Sequence, residues 1–206
     1  MKKLMTMIMA TLLMGSVAHA EVQLGKDYTM LSTPQTALTN KIEVLEFFFY
    51  ECPHCFHLHP FLAKWEKTKA SDVEISYVPT MFRDSTEPLA HAYYALEGMG
   101  QAKQLDDAIY QAIHVSQLNL YDLDTIGAFV AKHGVDRAKF EGAYNSFSVQ
   151  SKVTRAKQLI RSYNIEGTPT LVVDGRYVIT GLQPDYTIEV LNAVIAKVRK
   201  EHGKKH

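Results

Sequence analysis

The chain has 206 residues with 22 basic and 22 acidic side chains, 47% hydrophobic composition and only two cysteines. That balance argues against a nucleic acid or an anionic membrane as partner, since both select for excess Lys and Arg. The length fits one compact domain, with room for an inserted lobe.

The first element is a leader. In "MKKLMTMIMATLLMGSVAHA", Lys2 and Lys3 precede an apolar run over residues 4–14, and Ala18-His19-Ala20 is a small-x-small site. This three-part layout predicts a cleaved secretory signal at residues 1–20 and an exported chain from residue 21. The apolar run is shorter than the roughly 18 residues that a membrane span needs. With no cysteine near the cleavage site, a lipid anchor on the new N-terminus is not expected. Removing Lys2 and Lys3 leaves 20 basic against 22 acidic residues. No other hydrophobic segment is long enough to span, so the mature chain is expected to be soluble.

"KIEVLEFFFY" at residues 41–50 is β-branched, aromatic and almost unbroken in apolar character, which predicts a strand buried on both faces. "CPHCFHLHPFLAKWEKTKA" follows as a helix, with Leu58, Leu62 and Trp65 apolar and Lys67 and Lys69 near its end. "DVEISYVP" at residues 72–79 is a second strand, completing a parallel βαβ unit. Residues 86–147 change character. Leu89, Ala92, Tyr93 and Leu96 share a helical face, as do Leu105, Ala108, Ile109, Ala112 and Ile113. Asp122 and Asp124 are cap candidates, Gly134 is a stop, and "DRAKFEGAY" is a further helical turn. This stretch reads as a packed helical lid. A helix over about residues 148–163 leads to Asp174-Gly175, a hairpin signal between two β-rich runs. A last helix spans about residues 185–201, ahead of a frayed tail. The order predicts an α/β fold, a mixed sheet with helices on both faces interrupted by an all-helical lobe.

The two cysteines lie in Cys52-Pro53-His54-Cys55, where the buried strand gives way to the helix. A bridge across two residues closes too short a loop to restrain the unfolded chain much, and an exported protein of this length can bury a core without it. The pair therefore points to chemistry. Unpaired N–H groups and the positive end of the helix dipole would stabilise a Cys52 thiolate. Pro53 suits an early helical position, and His54 adds a donor or a cation. A disulfide from so stable a thiolate would be oxidising, with Cys55 as the deeper, resolving sulfur. Glu46 shares the strand alternation of Ile42, Val44 and Phe48. Two readings stay open for it: a buried carboxyl relaying protons to Cys55, or a strand-edge carboxylate reaching solvent. A metal site is not expected, because Cys52, Cys55 and one histidine fall short of a structural zinc set. His57 and His59 read as solvent-facing or packing residues. At Gly167-Thr168-Pro169 the proline either opens a strand or follows a cis bond.

The segments "VLEFFFYECPHC", "NSFSVQSKV", Gly167-Thr168-Pro169 and "VVDGRYVITG", taken with the helical insertion, resemble the DsbA family of periplasmic thiol:disulfide oxidases. The resemblance covers essentially the mature chain in order. It implies a thioredoxin-like domain from residues 21–85 and 148–206, with residues 86–147 as the helical insertion. It makes Cys52 the exposed attacking or leaving sulfur, Cys55 its resolving partner and Glu46 the buried proton-relaying carboxylate. It makes Pro169 a cis-proline facing the disulfide, with Thr168 and Gly167 beside it to meet an extended substrate segment. A strongly acidic first cysteine is a property for which that family is itself the standard example, so it is carried by the resemblance. Also implied are reduced, unfolded exported proteins as substrates, reoxidation by a membrane partner resembling DsbB, a monomer, and no bound cofactor beyond the Cys52–Cys55 disulfide. Two features depart from the pattern. His57 and His59 stand where DsbA relatives often have acidic residues, which predicts a less negative local field. The loop at Leu182-Gln183-Pro184, bordering the peptide groove, is short. The competing readings are an isomerase or reductase on the same fold, and a non-enzymatic peptide- or metal-binding module.

Overall fold

A computed structural model describes residues 22–37 and 40–203; the leader expected at residues 1–20 lies outside the described residues. The core strand is β2 (Ile42–Phe48), and all seven of its residues are buried. It pairs in parallel with β3 (Val73–Pro79) and antiparallel with β4 (Thr170–Val173). Helix α1 (Pro53–Thr68) makes the crossover between β2 and β3. The expected hairpin joins β4 to β5 (Tyr177–Thr180), with Asp174 and Gly175 at φ of 54° and 62°. The Arg176 N–H closes the turn on the Val173 carbonyl at 3.0 Å. A two-residue strand, β1 (Thr29–Met30), extends the sheet beyond β5, giving the order β1-β5-β4-β2-β3. The sequence reading did not anticipate β1. Both its residues are exposed, so only main-chain pairing defines it. The arm continues over the hairpin, where the Leu31 and Gln35 N–H groups donate to the Arg176 and Gly175 carbonyls, each at 2.8 Å.

Between β3 and β4 run α2 (Glu87–Gly98), α3 (Ala102–His114), α4 (Leu123–Lys132), α5 (Arg137–Tyr144) and α6 (Phe147–Ser162); α7 (Pro184–His202) ends the described chain. Asp122, Asp136 and Ser146 accept the N–H of the third residue beyond them, satisfying amides that have no partner inside α4, α5 and α6. Of the two expected caps, Asp122 fills the role, while Asp124 sits inside the first turn and pairs with Arg137. The sheet lies between two apolar groups. Ile42 and Val44 pack with Leu58, Leu62 and Trp65 of α1 and with Val190, Leu191 and Val194 of α7. Leu45, Phe47 and Phe48 pack with α2, α3 and α6 through Leu89, Tyr93, Ile109 and Val153. Being covered on both sides explains the unbroken apolar run of β2, and it places the end of that strand where α1 and α3 meet.

Candidate active site

The chain leaves β2 through a tight turn, closed by the Cys52 N–H on the Phe49 carbonyl at 2.9 Å. Cys52 then occupies the N-cap of α1, with extended backbone (φ −80°, ψ 117°), and Pro53 begins the helix without losing a needed donor. Cys52 is half-buried, Cys55 has no exposed surface, and both are free thiols. The Cys52 thiol is pulled down to about 5, chiefly by a hydrogen bond from Cys55. The Thr168 side chain and the backbone N–H groups of Cys55 and His54 also favour the thiolate, and burial opposes them. Burial acts most on Cys55, and the charges of Glu46 and Cys52 push it further, far above an ordinary thiol. One sulfur is thus an anion at neutral pH while its neighbour three residues on stays protonated.

Glu46 is 3% exposed on the central strand, so it does not reach solvent at an edge. Burial raises its carboxyl to about 8, with further contributions from the negative charges of Asp106, Glu66 and Cys52. Asp106 on α3 is raised to about 6 by burial, against a hydrogen bond donated by the Tyr50 hydroxyl. Glu66 accepts from Tyr77 at 3.0 Å and from Lys103 at 2.6 Å. Asp106 and Asp107 of α3 add acidic groups beside α1, whose own sequence offers histidines near the cysteines and a single acid, Glu66, towards its end. His57 is exposed. The His59 Nε2 lies 3.1 Å from Asp107, its ring centre is 5.0 Å from that of Tyr110, and burial lowers its proton affinity.

The Thr168–Pro169 peptide bond is cis, and the Thr168 carbonyl lies 3.2 Å from the Cys52 sulfur. A thiol at Cys52 donates to that oxygen, whereas a thiolate cannot, so ionisation passes the sulfur to the Thr168 hydroxyl and the helix amides. Beside this contact runs an open groove of about 270 Å³, lined by His54, Leu58, Gly167, Thr168, Leu182 and Gln183, with Pro169 also in its wall. His54 is exposed at its rim. The structure therefore brings Cys52, Pro53, His54, Cys55, Gly167, Thr168 and Pro169 to one face, with Glu46 beneath. Among the described residues no group of three or more His, Cys, Asp or Glu is placed to hold a metal ion. Sequence reasoning missed Tyr50, Asp106, Tyr110 and His114. Asp106, Tyr110 and His114 recur every four residues on α3, a helical stripe visible in the sequence, but nothing local ties it to Tyr50.

A DSBA-like thioredoxin domain model matches residues 66–190, most of the chain beyond the cysteine pair. The thiol:disulfide interchange protein DsbA of Burkholderia cepacia is 38% identical over 183 residues, covering 86% of each chain. The protein of that name from Pseudomonas aeruginosa strain PAO1 is 32% identical over 201 residues, covering 95% of each. The crystal structure of Pseudomonas aeruginosa DsbA superposes with a TM-score of 0.84 at 32% identity, over 88% of this chain and 96% of that one. Reduced DsbA1 from Neisseria meningitidis gives 0.82 at 26% identity, over 90% and 100%.

Proposed function

This chain belongs to the DsbA family and is a thiol:disulfide oxidoreductase with a thioredoxin-like fold, and from that premise we propose that it oxidises reduced, unfolded exported proteins in the periplasm. The observation that carries this reading is the separation of the two thiols, Cys52 near 5 and Cys55 far above an ordinary cysteine. In the oxidised enzyme, a substrate thiolate attacks the Cys52 sulfur; a new S–S bond forms, the Cys52–Cys55 bond breaks, and Cys55 leaves with the electron pair. Glu46, still protonated at neutral pH, supplies the proton that Cys55 takes up. A second substrate thiolate attacks its own half of the mixed disulfide, and Cys52 departs as a thiolate. The substrate has lost two electrons and the enzyme has gained them.

The leaving step is favourable because the departing sulfur meets the Cys55 thiol, the Thr168 hydroxyl and the α1 amides at once. The groove beside Pro169 is open enough to take an extended segment of the substrate. Thr168 and Gly167 offer main-chain groups there, and His54 borders the attacked sulfur. Residues 21–85 and 148–206 form the thioredoxin-like part in this reading, and residues 86–147 the helical insertion. The enzyme works as a monomer, and a membrane partner resembling DsbB removes the electrons.

The test is the thiolate absorbance of reduced protein from pH 2 to 9, with Cys52→Ser as control. The expected midpoint lies several units below the roughly 8.5 of a free cysteine and vanishes in the variant. A midpoint near that of a free cysteine refutes the oxidase reading and leaves the reductase and isomerase readings.

A further inference from the structure

Helix α3 reaches the cysteine motif through one residue. Tyr50, two positions before Cys52, is 1% exposed and is held at three points by the stripe on α3. Its hydroxyl donates to Asp106. Its ring meets that of Tyr110 edge-on, with centroids 5.1 Å apart and planes at 63°. Its carbonyl lies 2.8 Å from Nε2 of His114. A carbonyl only accepts, so the proton belongs to that nitrogen. The His114 imidazole also stacks on Phe56, the residue after Cys55, at 4.8 Å and 6°. His114 therefore touches the chain on both sides of Cys52-Pro53-His54-Cys55.

The Phe49–Cys52 turn is short, and the Cys52 sulfur must meet Thr168 and the first amides of α1 simultaneously. Rotation of the peptide after Tyr50 would move that sulfur. In the disulfide, Cys52 is already tied to Cys55 by a covalent bond. The free thiolate has no such tether, so restraint of the turn matters more to the reduced state. We propose that Asp106, Tyr110 and His114 clamp Tyr50, with His114 as a positioning residue that holds the Cys52 turn and so strengthens the enzyme as an oxidant. The proposal rests on Cys52 being the leaving sulfur.

The experiment compares His114→Leu, which removes the donor, with His114→Gln, whose amide can still donate to the Tyr50 carbonyl. A control, His133→Leu, removes a histidine whose Nδ1 lies 2.9 Å from the Phe129 carbonyl on α4, away from the cysteines. Each protein is equilibrated with glutathione redox buffers, and its thiolate absorbance is titrated. Loss of one hydrogen bond to a buried carbonyl predicts that His114→Leu shifts the equilibrium with glutathione about three- to tenfold toward the oxidised enzyme. Its thiolate midpoint rises in parallel, while His114→Gln and the control stay within about twofold of the parent. If His114→Leu does not fold, Tyr50→Phe decides on the same readouts, a loss of about threefold supporting the clamp and parental behaviour overturning it. The clamp is also overturned if His114→Leu behaves as the parent, if Gln fails to rescue, or if the control shifts equally. A parent protein whose Cys52 titrates like a free cysteine refutes the oxidase reading instead, because the clamp is read only from differences between variants.

Discussion

Replacing Glu46 with Gln removes one ionisation from the base of the site and leaves the side chain nearly the same size. The carboxyl stands at about 8 in the folded protein, against an ordinary value of 4.5. Its folded-state value is the higher, so the native state holds the proton more tightly than the unfolded chain does. The stabilisation is complete below about 4.5 and is lost as pH rises to about 8. At 1.36 kcal/mol per unit, the interval corresponds to about 4 to 5 kcal/mol. Reduced Cys52 titrates over much of the same window with the opposite sign, so the stability of the parent alone would mix the two effects. The difference between parent and variant in the same redox state removes the cysteine contribution apart from its coupling to Glu46, the smallest of the causes that raise that carboxyl. Urea unfolding of both reduced proteins at pH 5, 6, 7 and 8 should find Glu46→Gln within about 1 kcal/mol of the parent at the acid end. At pH 8 it should be more stable by about 3 to 4 kcal/mol, most of the interval having been crossed. A difference that stays constant across the four pH values would refute the claim that Glu46 is a buried carboxyl carrying its proton into this range.

Cys52 predicts the converse slope. Its folded value of about 5 lies below the ordinary 9.0, so its contribution to reduced-state stability is present above about 9 and lost as pH falls through about 5. The stability of the reduced parent relative to Cys52→Ser, measured by urea unfolding, should therefore grow between pH 5 and 8; a flat difference contradicts the assignment. Thr168→Val keeps the volume and removes the hydroxyl that favours the thiolate, and its absorbance titration should show a Cys52 midpoint raised by about half a unit to one unit. Gly175→Ala should destabilise the protein by about 1 to 3 kcal/mol in urea, because a Cβ there would lie 2.2 Å from the Gln35 carbonyl oxygen at a φ of +62°. A loss below about 0.5 kcal/mol would show that the arm over the hairpin moves away freely.

The central strand, the crossover helix and the hairpin were legible because each is written in neighbouring residues: an unbroken apolar run, a three-to-four spacing, an Asp-Gly pair. The burial of Glu46 was half legible. Its alternation with Ile42 and Val44 suggested a face, an alternation that Phe48 breaks by packing with Leu45 and Phe47, and only pairing on both sides of β2 shows that Glu46 lies inside the protein. Strand β1 carried no signal, since two exposed residues joined through their backbone impose no side-chain pattern. The acidity around α1 was only partly legible from local sequence. His57 and His59 suggested a less negative site, whereas Asp106 and Asp107 come from a helix far along the chain. The Tyr50 contacts with Asp106 and His114 span 56 and 64 residues, and no periodicity reports such pairings.

Those distant acids also explain how two buried carboxyls come to hold different protonation states. Asp106 and Glu46 are both raised by burial, but Asp106 receives the Tyr50 hydroxyl and settles near 6. Glu46 receives no such donor among the described residues and rises to about 8, partly because Asp106 and Glu66 are negative beside it. At neutral pH the first is mostly ionised and the second mostly protonated, the pattern by which paired acids take separate roles. The ionised member keeps the proton on the other, and that other lies next to the thiol that cannot ionise alone. Asp106→Asn removes the charge, and the same logic makes Glu46 titrate lower in that variant. A Glu46 midpoint unchanged in Asp106→Asn, followed by NMR of the carboxyl carbon, would leave burial and the charges of Glu66 and Cys52 responsible and would detach α3 from the proton chemistry of Cys55.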